Sequence, residues 1–140
     1  MNRIAHCCCG SLRAEAIAEP VAVIACHCTE CQRRTGAPFG VGCYFAKEQV
    51  RTEGPSKIYV REGQQGRKIR QHFCSDCGTT VFWELDRFPD WIGIALGTFA
   101  DPAFPAPIRS VWETTRHAWV AFSHELDHFP EGMRTAPAKS

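Results

Sequence analysis

Long apolar runs are largely missing from this 140-residue chain. No segment approaches the ~20 consecutive apolar residues of a transmembrane helix. The opening Met1-Asn2-Arg3-Ile4-Ala5-His6 holds no apolar stretch of signal-peptide length. The expectation is therefore a cytoplasmic protein without a membrane partner. Charge excess is missing too: 16 Lys and Arg against 15 Asp and Glu leave a formal charge of +1. Nucleic acid and anionic membranes are thus not expected as main partners. Neither an internal repeat nor a linker divides the sequence, and a chain of this length buries roughly 68–70% of its unfolded surface as one domain. We expect that domain over residues 1–129. Residues 130–140, polar and with little to bury, read as a flexible tail.

Helical periodicity is scarce as well, and what replaces it is a series of short strands punctuated by Gly and Pro. Leu12, Ala14 and Ala16 alternate with Arg13 and Glu15, and Val21 to Ala25 is a β-branched run. Gly40 to Phe45, Val50 to Thr52, Lys57 to Val60, Trp91 to Leu96 and Val111 to Glu113 read as further strands, with a turn at Gly54-Pro55. Lys68 to Phe73 and Thr79 to Trp83 form a hairpin with a cysteine pair at its tip, and Cys7 to Arg13 reads as a strand that turns at Gly10. Three prolines make Asp101 to Pro107 a loop. Only Thr29 to Arg34 suits a helix, capped at Thr29, ended by Gly36 and stopped by Pro38. The fold class expected is mainly β, built of short antiparallel strands.

Against these absences stands an abundance of cysteine: nine residues. The count is odd, the cysteines cluster instead of closing long loops, and a cytosolic thiol stays reduced, so metal binding is favoured over disulfides. They sort into Cys7/Cys9, Cys26/Cys28/Cys31 and Cys74/Cys77, the last with Gly78 behind it in the form of a zinc knuckle. Seven sulfurs divide into four plus three. A closed four-sulfur site holds structure, whereas three leave one tetrahedral position free for chemistry. Spacing alone does not say which four belong together. Cys28/Cys31 with Cys74/Cys77 would make a ribbon-like site, while Cys7/Cys9 with Cys74/Cys77 splits no group and leaves the trio intact. Cys8 and Cys43 read as small buried residues. His27 alternates with its neighbours and should point away from their metal. His6, His72, His117, His124 and His128 lack ligand spacing to the cysteines. Arg33 and Arg34 follow the trio and suit either a substrate carboxylate or a solvated helix face. Glu30 and Asp76 sit between cysteines, as supporting or exposed residues.

Taken together, Cys7-Cys8-Cys9-Gly10, Cys26 through Phe39, Phe73 through Thr79 and the late Trp119 resemble the glutathione-dependent formaldehyde-activating family, related to centromere protein V, over roughly residues 6–120. The resemblance implies an Mss4-like fold with two Zn²⁺ ions, a structural one on Cys7, Cys9, Cys74 and Cys77 and a catalytic one on Cys26, Cys28 and Cys31. It also implies a carbon–sulfur lyase that joins a small-molecule thiol, glutathione, to formaldehyde or a related small aldehyde. Three thiolates and Zn²⁺ sum to a charge of −1, a softened Lewis acid suited to a sulfur ligand. Two other functions are weighed against it: a non-catalytic zinc-binding interaction module, as among relatives of that fold, and a redox role for Cys74-Ser75-Asp76-Cys77.

Overall fold

The computed structural model describes residues 2–132. Among them are eleven strands: β1 Arg3–His6, β2 Arg13–Ala16, β3 Ala22–Cys26, β4 Gly40–Ala46, β5 Val50–Glu53, β6 Ser56–Glu62, β7 Lys68–Cys74, β8 Thr80–Leu85, β9 Trp91–Ala95, β10 Arg109–Val111 and β11 Asp127–His128. The single α-helix, α1, spans Thr29–Thr35. The fold is mainly β, as its alternating sequence leads one to expect. A three-stranded sheet has the order β1-β2-β5, and an eight-stranded sheet the order β11-β10-β3-β4-β9-β8-β7-β6. Pairing is antiparallel except where β10 joins β3 and β11 joins β10.

The small sheet packs on one face of the large one. From β2 and the residue before it come Leu12, Ala14 and Ala16, all buried, and their alternation is the one visible in the sequence. They meet Val23, Cys43, Phe45, Val81, Ile92 and Ile94 of the large sheet. Because side chains on a strand alternate, β4 and β9 send the residues between these to the opposite face. There they place Gly42, Tyr44 and Gly93. That second face, poor in bulk at its centre, carries the cavity described below.

Several local expectations differ from what is observed. Cys7 to Gly10 is a turn and not a strand, with Gly10 at φ +83°. Val50–Glu53 and Ser56–Glu62 do not pair with each other: the turn at Gly54 carries the chain from the small sheet to the large one. The last strand anticipated from Val111 lies earlier, at Arg109–Val111, because Trp112 is left-handed at φ 58° and ends it. Residues 129–131 are tied down: their carbonyls accept from the amides of Trp112, Glu113 and Thr114. The rest of the anticipated tail, 133–140, lies outside the described residues.

Candidate metal centres and the adjoining cavity

Two tight turns bring four cysteines together. Cys7 and Cys9 come from the β1–β2 connection, Cys74 and Cys77 from the β7–β8 connection, and each turn closes on a left-handed glycine, Gly10 or Gly78. The four sulfurs lie within 4.8 Å of one another. Cys7 Sγ is 3.6 Å from Cys9 Sγ, and Cys9 Sγ is 3.7 Å from Cys74 Sγ. Tetrahedral zinc–thiolate bonds of ~2.3 Å separate their sulfurs by ~3.8 Å, whereas a disulfide needs ~2.05 Å. The quartet thus fits a tetrahedral metal and not a bridge. Backbone amides already face the sulfurs, Leu12 N to Cys7 Sγ at 3.2 Å and Asp76 N to Cys74 Sγ at 3.4 Å. Thr79 links the two turns: its Oγ1 accepts from Cys8 N at 3.1 Å and lies 3.3 Å from Cys77 Sγ. The hydroxyl and amide of Thr79 hold the Cys77 thiol down at about 5.

The second group forms where β3 runs into α1. Cys26 ends the strand and Cys28 caps the helix, its Sγ accepting from Cys31 N at 3.3 Å, so the cap is a thiol and not the anticipated Thr29. One helical turn later Cys31 returns to the same point, and the three sulfurs lie within 4.8 Å of each other. Hydrogen bonds from the Cys26 and then the Cys31 thiol draw Cys28 down to about 2, and the same pairing drives Cys26 far up. One of the three ionises readily and the others resist, since clustered anions repel. Only a cation lets all three become thiolates, so the donor set suits a soft metal ion and leaves one tetrahedral position unfilled by protein.

His27 turns away from the sulfurs, as strand alternation requires, and is fully buried. Its Nε2 lies 2.8 Å from Ser110 Oγ, the Ser110 hydroxyl donates to Glu113 Oε2 at 2.6 Å, and the same oxygen meets His128 Nδ1 at 2.8 Å. Burial lowers the imidazole pKa and keeps the ring neutral. This chain of contacts, with the Gln32 and Thr115 side chains donating to His27 O, pins the loop that carries the trio to β10.

The trio opens onto a cavity of about 570 Å³ across the second face of the large sheet. Ile24, Tyr44, Trp83, Leu85, Phe88 and Trp112 supply apolar wall; Arg34, Arg61, Arg67, Lys68 and Arg87 supply positive charge, against a single acidic group, Glu30. Trp83 is set flat on the sheet by missing side chains: a Cβ on Gly93 would lie 2.2 Å from its Nε1, and one on Gly42 2.8 Å from its Cζ2. Above it stands the Arg34 guanidinium, 4.6 Å from the ring centroid, a cation–π contact. The Arg61 Nε is buried with no hydrogen-bond partner among the described residues.

The family profile of the glutathione-dependent formaldehyde-activating enzymes matches residues 2–115. The chain belongs to this family. A Fusarium vanettenii protein, provisionally named a glutathione-dependent formaldehyde-activating enzyme, is 31% identical over 122 residues, 74% of this chain. The chain spans 64% of that relative's length. A crystal structure of a Rhodobacter sphaeroides protein superposes with a TM-score of 0.52 at 17% identity, covering 68% of this chain and 85% of the other. That likeness concerns the fold.

Within this member of the formaldehyde-activating family, the seven grouped cysteines are brought together as four and three, and the ribbon-like pairing of Cys28/Cys31 with Cys74/Cys77 is not formed. Cys43 is buried, but Cys8 is exposed, because a turn has no second face to bury it. Arg33 pairs with Glu30 at 3.4 Å and does not line the cavity, whereas Arg34 faces it. Asp76 is exposed. His72 contacts Glu84, His124 the Pro107 carbonyl and His117 the Gln32 side chain, none at either cysteine group. Trp119 is 73% exposed. Sequence reasoning missed Tyr44, Trp83 and Arg61. Tyr44 and Trp83 had one signal, glycine inside strands at Gly42 and Gly93, which marks a close approach of other groups; Arg61 had none.

Proposed function

We propose that this chain is a zinc-dependent carbon–sulfur lyase or synthase that adds the thiol of glutathione to formaldehyde or a related small aldehyde. The observation that carries the reading is a three-sulfur metal site, short of one ligand, in the wall of a cavity that is basic and aromatic. Cys26, Cys28 and Cys31 would hold the catalytic zinc; Cys7, Cys9, Cys74 and Cys77 would hold a structural one. Zinc on three thiolates supplies a Lewis acid that favours the deprotonated form of an arriving thiol.

The chain's own residues do the rest. Arg61, with its unpartnered Nε, and Arg67 face the cavity as cations and suit the carboxylates of glutathione. Arg61 also stands near enough for its charge to favour the Cys28 thiolate. Trp83, Phe88 and Trp112 exclude water from the reacting end and strengthen those attractions. In the reaction, the substrate sulfur forms a bond to the aldehyde carbon as the C=O π pair moves to oxygen. The proton lost by the thiol is regained by that oxygen, giving the S-hydroxyalkyl product. All nine cysteines are free, which suits a reducing, cytoplasmic setting.

The test is Cys28→Ser, read by zinc content and by the exchange rate between glutathione, formaldehyde and their adduct above the uncatalysed background. Serine is itself a good N-cap, so α1 and the fold should survive. Zinc should fall from two per chain to one, matching the two cysteine groups, and the rate should drop to background. Turnover equal to wild type would overturn the reading. Glutathione binding by the wild type without acceleration would make the chain a non-catalytic binding module instead.

A further inference from the structure

Beside the Arg34 guanidinium, the cavity wall holds a neutral hydrogen-bond donor placed where the reaction develops negative charge. We propose that the Tyr44 phenol donates a hydrogen bond to the aldehyde oxygen as sulfur adds to the carbonyl carbon. This rests on the reading above, that a thiol meets an aldehyde at Cys26, Cys28 and Cys31.

Gly40, Gly42 and Tyr44 occupy one face of β4, two residues apart. The phenol folds back along the strand over Gly42: a Cβ there would lie 3.0 Å from Tyr44 Cε2 and 3.2 Å from its Oη. At Gly40 a Cβ would lie 2.5 Å from Arg34 Nη2 and 3.5 Å from the Cβ of Cys31, so the guanidinium flanks the same interval. A strand rises ~3.3 Å per residue, so phenol oxygen and cysteine trio sit over backbone positions ~6.6 Å apart. An added carbon–oxygen unit and a hydrogen bond of ~2.7 Å fit that interval.

The Trp83 indole nitrogen can only donate, and it does so to Tyr44 Oη at 3.3 Å. Tyr44 therefore accepts in that bond and keeps its own hydrogen, and among the described residues no acceptor faces it. Trp83 is itself immobilised between Gly93 and Arg34, so the phenol is held without need of its proton. Burial raises the phenol pKa above its ordinary value, and it stays protonated across the neutral range. It thus meets the oxygen as O–H···O⁻, the stronger kind of hydrogen bond. The phenol ends the step unchanged, since the oxygen's new proton is the one the thiol released.

Tyr44→Phe keeps the ring and deletes the donor, together with the acceptor of the Trp83 indole N–H. The expected result is a catalysed exchange rate lower by roughly 10²-fold, the effect of removing one oxyanion donor, with glutathione affinity unchanged because the thiol lacks the oxygen. Full turnover in a folded Tyr44→Phe protein would overturn the assignment while leaving the lyase reading intact. A wild type with no thiol-dependent acceleration would overturn both. Should Tyr44→Phe fail to fold, Trp83→Phe frees the phenol from its orienting donor. A partial loss of the rate at saturating glutathione supports the assignment there, and an unchanged rate at saturation ends it.

Discussion

At the scale of single residues, the cavity is made as much by glycines as by the side chains that line it. Gly93 has no positive φ and adopts ordinary strand backbone, so its value lies in the space it leaves. An added methyl would meet three atoms of the Trp83 ring between 2.2 and 2.9 Å. A rigid indole, held on its other face by Arg34, cannot yield as a flexible side chain would. Gly93→Ala should therefore cost about 1–3 kcal/mol by overpacking, shift the tryptophan emission and weaken glutathione binding. Gly97→Ala is the control: nothing lies within 4 Å of a methyl there, and the change should stay within ~0.5 kcal/mol. Equal denaturation midpoints for the two variants would mean that Trp83 does not rest on Gly93 in solution.

At the scale of elements, the two cysteine-bearing turns do what a hydrophobic core cannot do at the end of a small sheet. The β1–β2 turn belongs to the three-stranded sheet and the β7–β8 turn to the eight-stranded one, so a metal on Cys7, Cys9, Cys74 and Cys77 would staple the layers. Structural zinc in small peptides binds with ~10–16 kcal/mol, comparable to the ~5–15 kcal/mol that holds a whole domain. Cys74→Ser should leave the chain unfolded or melting far below wild type, and a melting curve that superposes on wild type would remove the staple. Much of this was legible beforehand, for physical reasons. Leu12, Ala14 and Ala16 announce a strand because period two has one meaning, and the trio lies within six residues, where local geometry decides. Cys7 and Cys9 misled for the same reason: their alternation imitates a strand, while the backbone bends so that two sulfurs can converge with two others. Illegible were the bounds of β10, read two residues late, the strand β11, too short for a period, and the cavity, whose wall gathers Ile24, Tyr44, Trp83 and Arg61 from four strands that only the sheet order brings together.

At the scale of the whole molecule, the large sheet separates two tasks. One face carries the core and the small sheet; the other carries the cavity; the two cysteine groups are held by different strands. Removing metal from one group should therefore not remove it from the other. The quartet offers four sulfurs, two of them buried, and closes on itself. The trio leaves its last position to solvent or substrate, which gives a chelator a point of attack. Titrating the zinc-loaded protein with a chelator should thus give two separate events. In the first, about one zinc per chain leaves and glutathione binding is lost while β-sheet signal and thermal unfolding stay near those of the intact protein. In the second, at higher chelator, the remaining zinc leaves and the fold collapses, because that binding energy is folding energy. Glutathione should retard the first event alone, since a ligand stabilises only the state that binds it. Simultaneous loss of both metals with unfolding, or protection of both by glutathione, would show that the sheet joins the two sites into one unit.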